Sequence, residues 1–138
     1  MPARDLYHDI VRNALIKDGW TITHDPFHIG YGDVDIYVDL AAEQPIAAEK
    51  EGRKIAVEIK SFLGYSVVKD VEQALGQYVL YRSIIEEVDS QRVLYLAVDM
   101  VAYESILQRV GFQMIVTKNN VNIIVVELKK EEIVKWTH

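Results

Sequence analysis

The chain has 138 residues, no cysteine and a net charge of −6, with 21 acidic against 15 basic side chains. That length suits one domain burying roughly two-thirds of its unfolded surface, and the missing cysteines exclude disulfides and thiolate metal sites, as suits a reducing cytoplasm. The acidic excess argues against tight unaided binding to a polyanion, which depends on neutralising phosphates with Lys and Arg.

The N-terminus, "MPARDLYHD", has no apolar run behind its basic residue and does not read as a secretion signal. No apolar run reaches the ~18 residues that span a membrane, so no membrane partner is expected. Residues 4–18 read as an amphipathic helix, with Leu6, Ile10 and Ala14 on one face, Tyr7, Val11 and Leu15 beside them, and Gly19 at the stop. "WTITH" is a short strand. His24 and His28 flank "DPF" in a turn, where a structural or idle role is expected. "IGYGD" (29–33) also reads as a turn, because two glycines without a strand–loop–helix setting do not make a phosphate loop.

Residues 33–40 alternate strictly, with Val34, Ile36, Val38 and Leu40 on one side and Asp33, Asp35, Tyr37 and Asp39 on the other. The stretch after it is broken by Pro45 and carries no clear element, and Glu51-Gly52 reads as a tight turn into a strand at 54–61. The longest helix is predicted at 67–87, with Ala74 and Gly76 as small residues permitting close packing on the sheet. A nearly continuous apolar strand follows at 92–99. After it come a short helix near 101–109, strands near 112–117 and 121–128, and a frayed end in which His138 is idle. The order α-β-β-β-α-β-α-β-β implies an α/β (α+β) fold, a mixed sheet with helices on both faces.

The segment "KIAVEIKSF" (54–62) breaks the apolar rule. Strand alternation puts Ile55, Val57 and Ile59 on one face and Ala56, Glu58 and Lys60 on the other, so the two charges project together, ~7 Å apart. With the 33–40 strand close by in the sheet, Asp35 is expected beside Glu58. Two carboxylates held together repel unless a cation joins them, and hard oxygen ligands suit Mg²⁺ or Mn²⁺. The Ile59 carbonyl offers a third ligand. Lys60 can then orient a water or stabilise charge on a phosphate. The competing reading is a solvated face with a Glu–Lys pair. The spacing alone decides nothing, since Glu127 and Lys129 repeat it at what reads as an ordinary strand end.

"DVD" and "AVEIK" stand where the PD-(D/E)XK nuclease superfamily carries its Asp and its Glu-x-Lys, and residues 33–81 resemble that superfamily. Over nearly its whole length the chain resembles the XisH family, the fdxN-element excision controlling factors. "DLYHDIVRNALIKDGW", "DVDIYVDLAAE", "KIAVEIKSF" and "EQALGQYVLY" carry that likeness. The resemblance implies one nuclease-like domain over 1–138 with a restriction-endonuclease-like core. It implies a part, with protein partners, in a programmed DNA rearrangement of filamentous cyanobacteria. Carried over by position, Asp35 and Glu58 are the metal ligands and Lys60 the catalytic lysine; Val34 stands where many members have proline. Resolvase-like members add an acidic residue on the first helix, for which Asp5 and Asp9 are both available. The alternative there is a solvated stripe of Asp5, His8, Asp9 and Arg12. On the long helix Gln73, Gln77 and Tyr81 share a face and can serve the site or lie idle.

Two classes of function stay open. One is a metal-dependent DNA phosphodiesterase, an endonuclease. The other is a non-catalytic accessory protein on the same scaffold, binding DNA or a protein and controlling a recombinase. The Asp35, Glu58 and Lys60 set favours the first. The missing basic stripe favours the second, or a DNA grip supplied by a partner or a homodimer mate.

Overall fold

The computed structural model describes residues 3–45, 52–64 and 66–137, with side chains from Leu6 onward. Helix α1 (Ala3–Lys17) buries Ile10, Val11, Ala14 and Leu15, while Leu6 stays exposed. It ends where Gly19 takes φ 91°, a left-handed conformation that costs glycine nothing. Then come β1 (Thr21–His24), β2 (Phe27–Tyr31), β3 (Val34–Val38), β4 (Leu40–Gln44), β5 (Arg53–Ile59), α2 (Val67–Val88) and β6 (Arg92–Asp99). A three-residue helix, α3 (Met100–Ala102), runs into a π-helical turn (Tyr103–Leu107). Helix α4 (Val110–Lys118), β7 (Ile123–Glu127) and β8 (Glu132–Thr137) complete the chain.

Six strands form one mixed sheet in the order β1-β4-β5-β6-β7-β8. Its centre, β5-β6-β7, is parallel, and the flanking pairs β1-β4, β4-β5 and β7-β8 are antiparallel. The parallel strands are covered on both faces, which is why they read as near-continuous apolar runs. Ala56, Leu94, Leu96, Val98, Ile123 and Val125 face one core with Tyr78, Ile84 and Ile85 of α2. Ile55, Val57, Tyr95, Ala97, Ile124 and Val126 face the other, with Val11, Ala14 and Leu15 of α1. The mixed sheet with a helix layer on each face is therefore present.

Four elements differ from the sequence expectation. Residues 33–40 are two strands, not one. Strand β3 pairs with β2 in a separate hairpin, and β4 enters the main sheet. The chain changes layers at Asp39, so Val38 lies in the α2-side core and Leu40, two residues on, in the α1-side core. The "turn" at 29–33 is mostly β2, with only its end turning. Residues 112–117 are helical because Phe112 and Val116, four apart, pack together on the α2-side core. The expected frayed end is β8, held by Trp136 against Trp20 (5.7 Å between rings) and Tyr95 (5.1 Å). Ala74 is buried as expected, but Gly76 faces open space and packs against nothing. Glu51 of the expected Glu51-Gly52 turn, and His138, fall outside the described residues.

Candidate functional site

Glu58 lies one residue before the end of β5, beside Leu96 of β6, near the carboxyl ends of two parallel strands. Ligands of open α/β sheets gather at such ends. Alternation sends the Glu58 side chain to the α2 face, where it is 6% exposed. Lys60, one step past the strand, stays anchored because its N–H donates to the Ala97 carbonyl at 3.0 Å. Its Nζ lies 3.6 Å from Glu58 Oε2.

Asp39 sits at the crossing between hairpin and sheet and is tied to β5 twice. Its N–H donates to Glu58 Oε1 at 3.2 Å, and its Oδ2 accepts the Ile59 N–H at 2.8 Å. The two carboxyl groups are thus fixed side by side by backbone hydrogen bonds. Gln77 of α2 faces the same space. Its Nε2 donates to the Tyr81 hydroxyl at 2.8 Å, which leaves Oε1 buried with no partner. These groups open on a cavity of about 320 Å³, with Tyr7 and His8 of α1 on its wall and Ile59 and Ser61 beside Glu58 and Lys60. A smaller cavity of about 190 Å³ shares Lys60 and Ser61 and extends past Gln73 and Asp70.

The electrostatics of Glu58 follow from this setting. Burial first, and then the charge of Asp39, push its carboxyl up to about 7 from an ordinary 4.5, while the Lys60 ammonium pulls the other way. Near neutral pH the Glu58 carboxyl is therefore still partly protonated. A shift of this kind, in a cavity and with a specific charge partner, makes Glu58 the candidate functional group of the described residues.

Asp35 is not part of this arrangement. It lies opposite Gly30 in the hairpin, its side chain 65% exposed and its Oδ1 3.1 Å from His28 Nε2. The 33–40 segment bends at Asp39 before joining the sheet, so four residue steps, ~13 Å of extended chain, separate Asp35 from the crossing. Asp39 takes the place expected of Asp35. Asp9 is exposed and off the cavity wall, and the Asp5 side chain lies outside the described residues. Gln77 reaches the main cavity, Gln73 only the side one. Glu127 accepts the Lys130 N–H at 2.5 Å in the turn between β7 and β8.

Sequence reasoning missed His8 as a wall residue. Its Nε2 lies 2.6 Å from Asp25 Oδ1, and Arg12 binds the other oxygen of that carboxylate, so two members of the supposed solvated stripe converge on the β1–β2 turn. Nothing in the sequence ties residue 8 to residue 25. Asp39 did leave a signal: after it the alternation stops and Leu40-Ala41-Ala42 are all apolar, the mark of a strand passing from a half-wet hairpin into a sheet covered on both faces.

No helix among the described residues is long and apolar enough to cross a membrane. No curated protein matches the chain. Two solved structures do, each along nearly its full length. The crystal structure of an XisH family protein from Nostoc punctiforme is 38% identical over 97% of this chain and 100% of that one, with a TM-score of 0.89. That of a fdxN element excision controlling factor protein from Anabaena variabilis is 40% identical over 98% and 100%, with a TM-score of 0.88. The family model for XisH protein matches residues 1–134, and the chain belongs to the XisH family.

Proposed function

We propose that this protein is a metal-dependent DNA phosphodiesterase of the PD-(D/E)XK type, acting with a protein partner in the excision of a DNA element. The observation that carries the reading is Glu58, a buried carboxyl fixed against Asp39 and Lys60 at the mouth of a cavity. The excision role comes from the relative named as an fdxN element excision controlling factor.

The donor set fits a hard divalent cation. Asp39 and Glu58 offer carboxylate oxygens, with the Ile59 carbonyl beside them. The unpartnered Gln77 Oε1 is an acceptor suited to a water on the ion. Among the described residues no three or more His, Asp or Glu side chains converge in a ligating group. A site with so few protein ligands suits Mg²⁺ or Mn²⁺, which keep part of their water shell. Bound there, the ion supplies Lewis acidity toward a phosphodiester and a more acidic water. Glu58 would hold the ion in its ionised form, beside Asp39. Lys60 stabilises negative charge gathering on the phosphate and holds Glu58 in place.

The accessory reading keeps one observation on its side. The chain is acidic overall, so the grip on duplex DNA falls to a protein partner or to a second copy of the chain. End-labelled duplex, single-stranded and four-way-junction DNA, incubated with Mn²⁺ or Mg²⁺, separates the two. Cleavage lost in Glu58→Gln, Lys60→Ala and Asp39→Asn, but kept in Asp35→Asn, upholds the enzyme. DNA or a partner protein held by the wild type without any cut turns the assignment to the accessory role.

A further inference from the structure

One wall of the cavity carries a device that the metal chemistry leaves unused. His8 projects from α1 beside the space that Asp39, Glu58 and Lys60 share, its side chain 24% exposed. Asp25, from the β1–β2 turn, holds its Nε2 at 2.6 Å, and Arg12, one helical turn on, binds the second Asp25 oxygen. An ionised carboxylate only accepts, so the ring carries its hydrogen on Nε2. The other nitrogen, Nδ1, makes no hydrogen bond to the described part of the protein. A ring fixed at one nitrogen by a carboxylate that is itself fixed, lining a cavity and with its other nitrogen unused by any described residue, is oriented for a ligand, as in Asp–His pairs generally.

We propose that His8 is a phosphate-contacting residue, donating from Nδ1 to a phosphodiester oxygen of a nucleic-acid strand, with Asp25 and Arg12 as its positioning residues. The inference rests on the nuclease reading and names what the cavity beside the carboxylates is for. As an imidazolium the ring donates from both nitrogens, one to Asp25 and one to the phosphate. The carboxylate behind it balances its charge. His8 and Lys60 line the same cavity, and together they hold one phosphate on a chain that has no basic stripe.

The test uses the whole protein labelled with ¹⁵N-histidine and the dinucleotide pTpT as probe, with Ca²⁺ present so that nothing is cleaved. The ring signals absent from His8→Gln are assigned to His8. They are expected to shift as pTpT is added, while those of His24 and His28 stay. His8→Gln should weaken pTpT binding roughly tenfold, the loss of one charged hydrogen bond, with Mn²⁺ affinity unchanged. Asp25→Asn, which keeps the ring but not its anchor, should weaken binding by less. Unmoved His8 signals with pTpT bound, or His8→Gln binding pTpT as the wild type does, overturn the proposal. If Lys60→Ala still loses pTpT in that case, the nuclease reading stands without His8. Loss of Mn²⁺ affinity in His8→Gln also overturns it, since the ring then serves the metal. No pTpT binding by the wild type, with no cleavage of any DNA, overturns both.

Discussion

Two charged side chains are buried among the described residues, Glu58 and Arg92, and they lie toward opposite ends of adjacent parallel strands. Arg92, at the start of β6, is fully met by protein. Its Nε donates to Asp89 and its Nη1 to the Ile55 carbonyl, both at 2.9 Å; Glu43 is 3.9 Å away, and the guanidinium lies 4.7 Å from the Phe27 ring centre. Glu58, toward the end of β5, has one backbone donor, one ammonium and a second carboxyl group as company, and it faces open space. A buried charge with complete partners ties elements together. One set beside a second carboxyl group at the edge of a cavity has fewer partners than it can take, and that shortage is what the proposed metal reading draws on.

That contrast can be broken in four ways. The largest expected effect is on chemistry: Glu58→Gln keeps the shape of the side chain but should lower single-turnover cleavage in Mn²⁺ on the order of 10³-fold, the scale of losing a transition-state stabiliser. Retained cleavage would make the two ends of the strands equivalent. Next, Arg92→Met should cost roughly 3 kcal/mol in a urea titration, since it leaves Asp89 and the Ile55 carbonyl without their donor. It should cost as much at pH 5 as at pH 8.

Glu58 should behave in the opposite sense. Its carboxyl sits at about 7 in the fold against 4.5 ordinarily, so between those values the folded state binds the extra proton. Stability is then full below pH 4.5 and falls as pH rises through 7. Without metal ions the loss between pH 5 and pH 8 should be roughly 2–3 kcal/mol. Glu58→Gln should flatten that profile, and saturating Mn²⁺ should restore the wild type at pH 8. A wild-type profile that is flat or rises over this range would remove the shortage. Smallest of all, Asp35→Ala should change stability by no more than ~0.5 kcal/mol, because its pair with His28 is exposed. A larger loss would give the hairpin carboxylate a part it lacks here.

The sequence shows the parallel core plainly, because strands buried on both faces leave continuous apolar runs such as "RVLYLAVD", and β6 spans that segment. It also shows that Glu58 and Lys60 share a face, since alternation is local geometry. It does not show which aspartate meets them. Asp35 and Asp39 have the same parity, and only the crossing between two sheets separates them, which is long-range information. The same holds for His8, whose partner Asp25 is seventeen residues away on another element. Residues 112–117 misled for a different reason, in that a short apolar run fits a strand or a helix face equally well.

The paired hydrogen bonds at the crossing also make the site observable without any substrate. The amide of Asp39 lends its proton to Glu58, and the amide of Ile59 lends its proton to Asp39. Each carboxyl group thus has a backbone N–H as its own reporter in a two-dimensional amide spectrum. Titrating acid through neutrality should move the Asp39 signal, as Glu58 takes up its proton. Titrating Mg²⁺ should move whichever signal belongs to the carboxylate that turns toward the ion, so the order of the two responses gives the order in which the ligands engage.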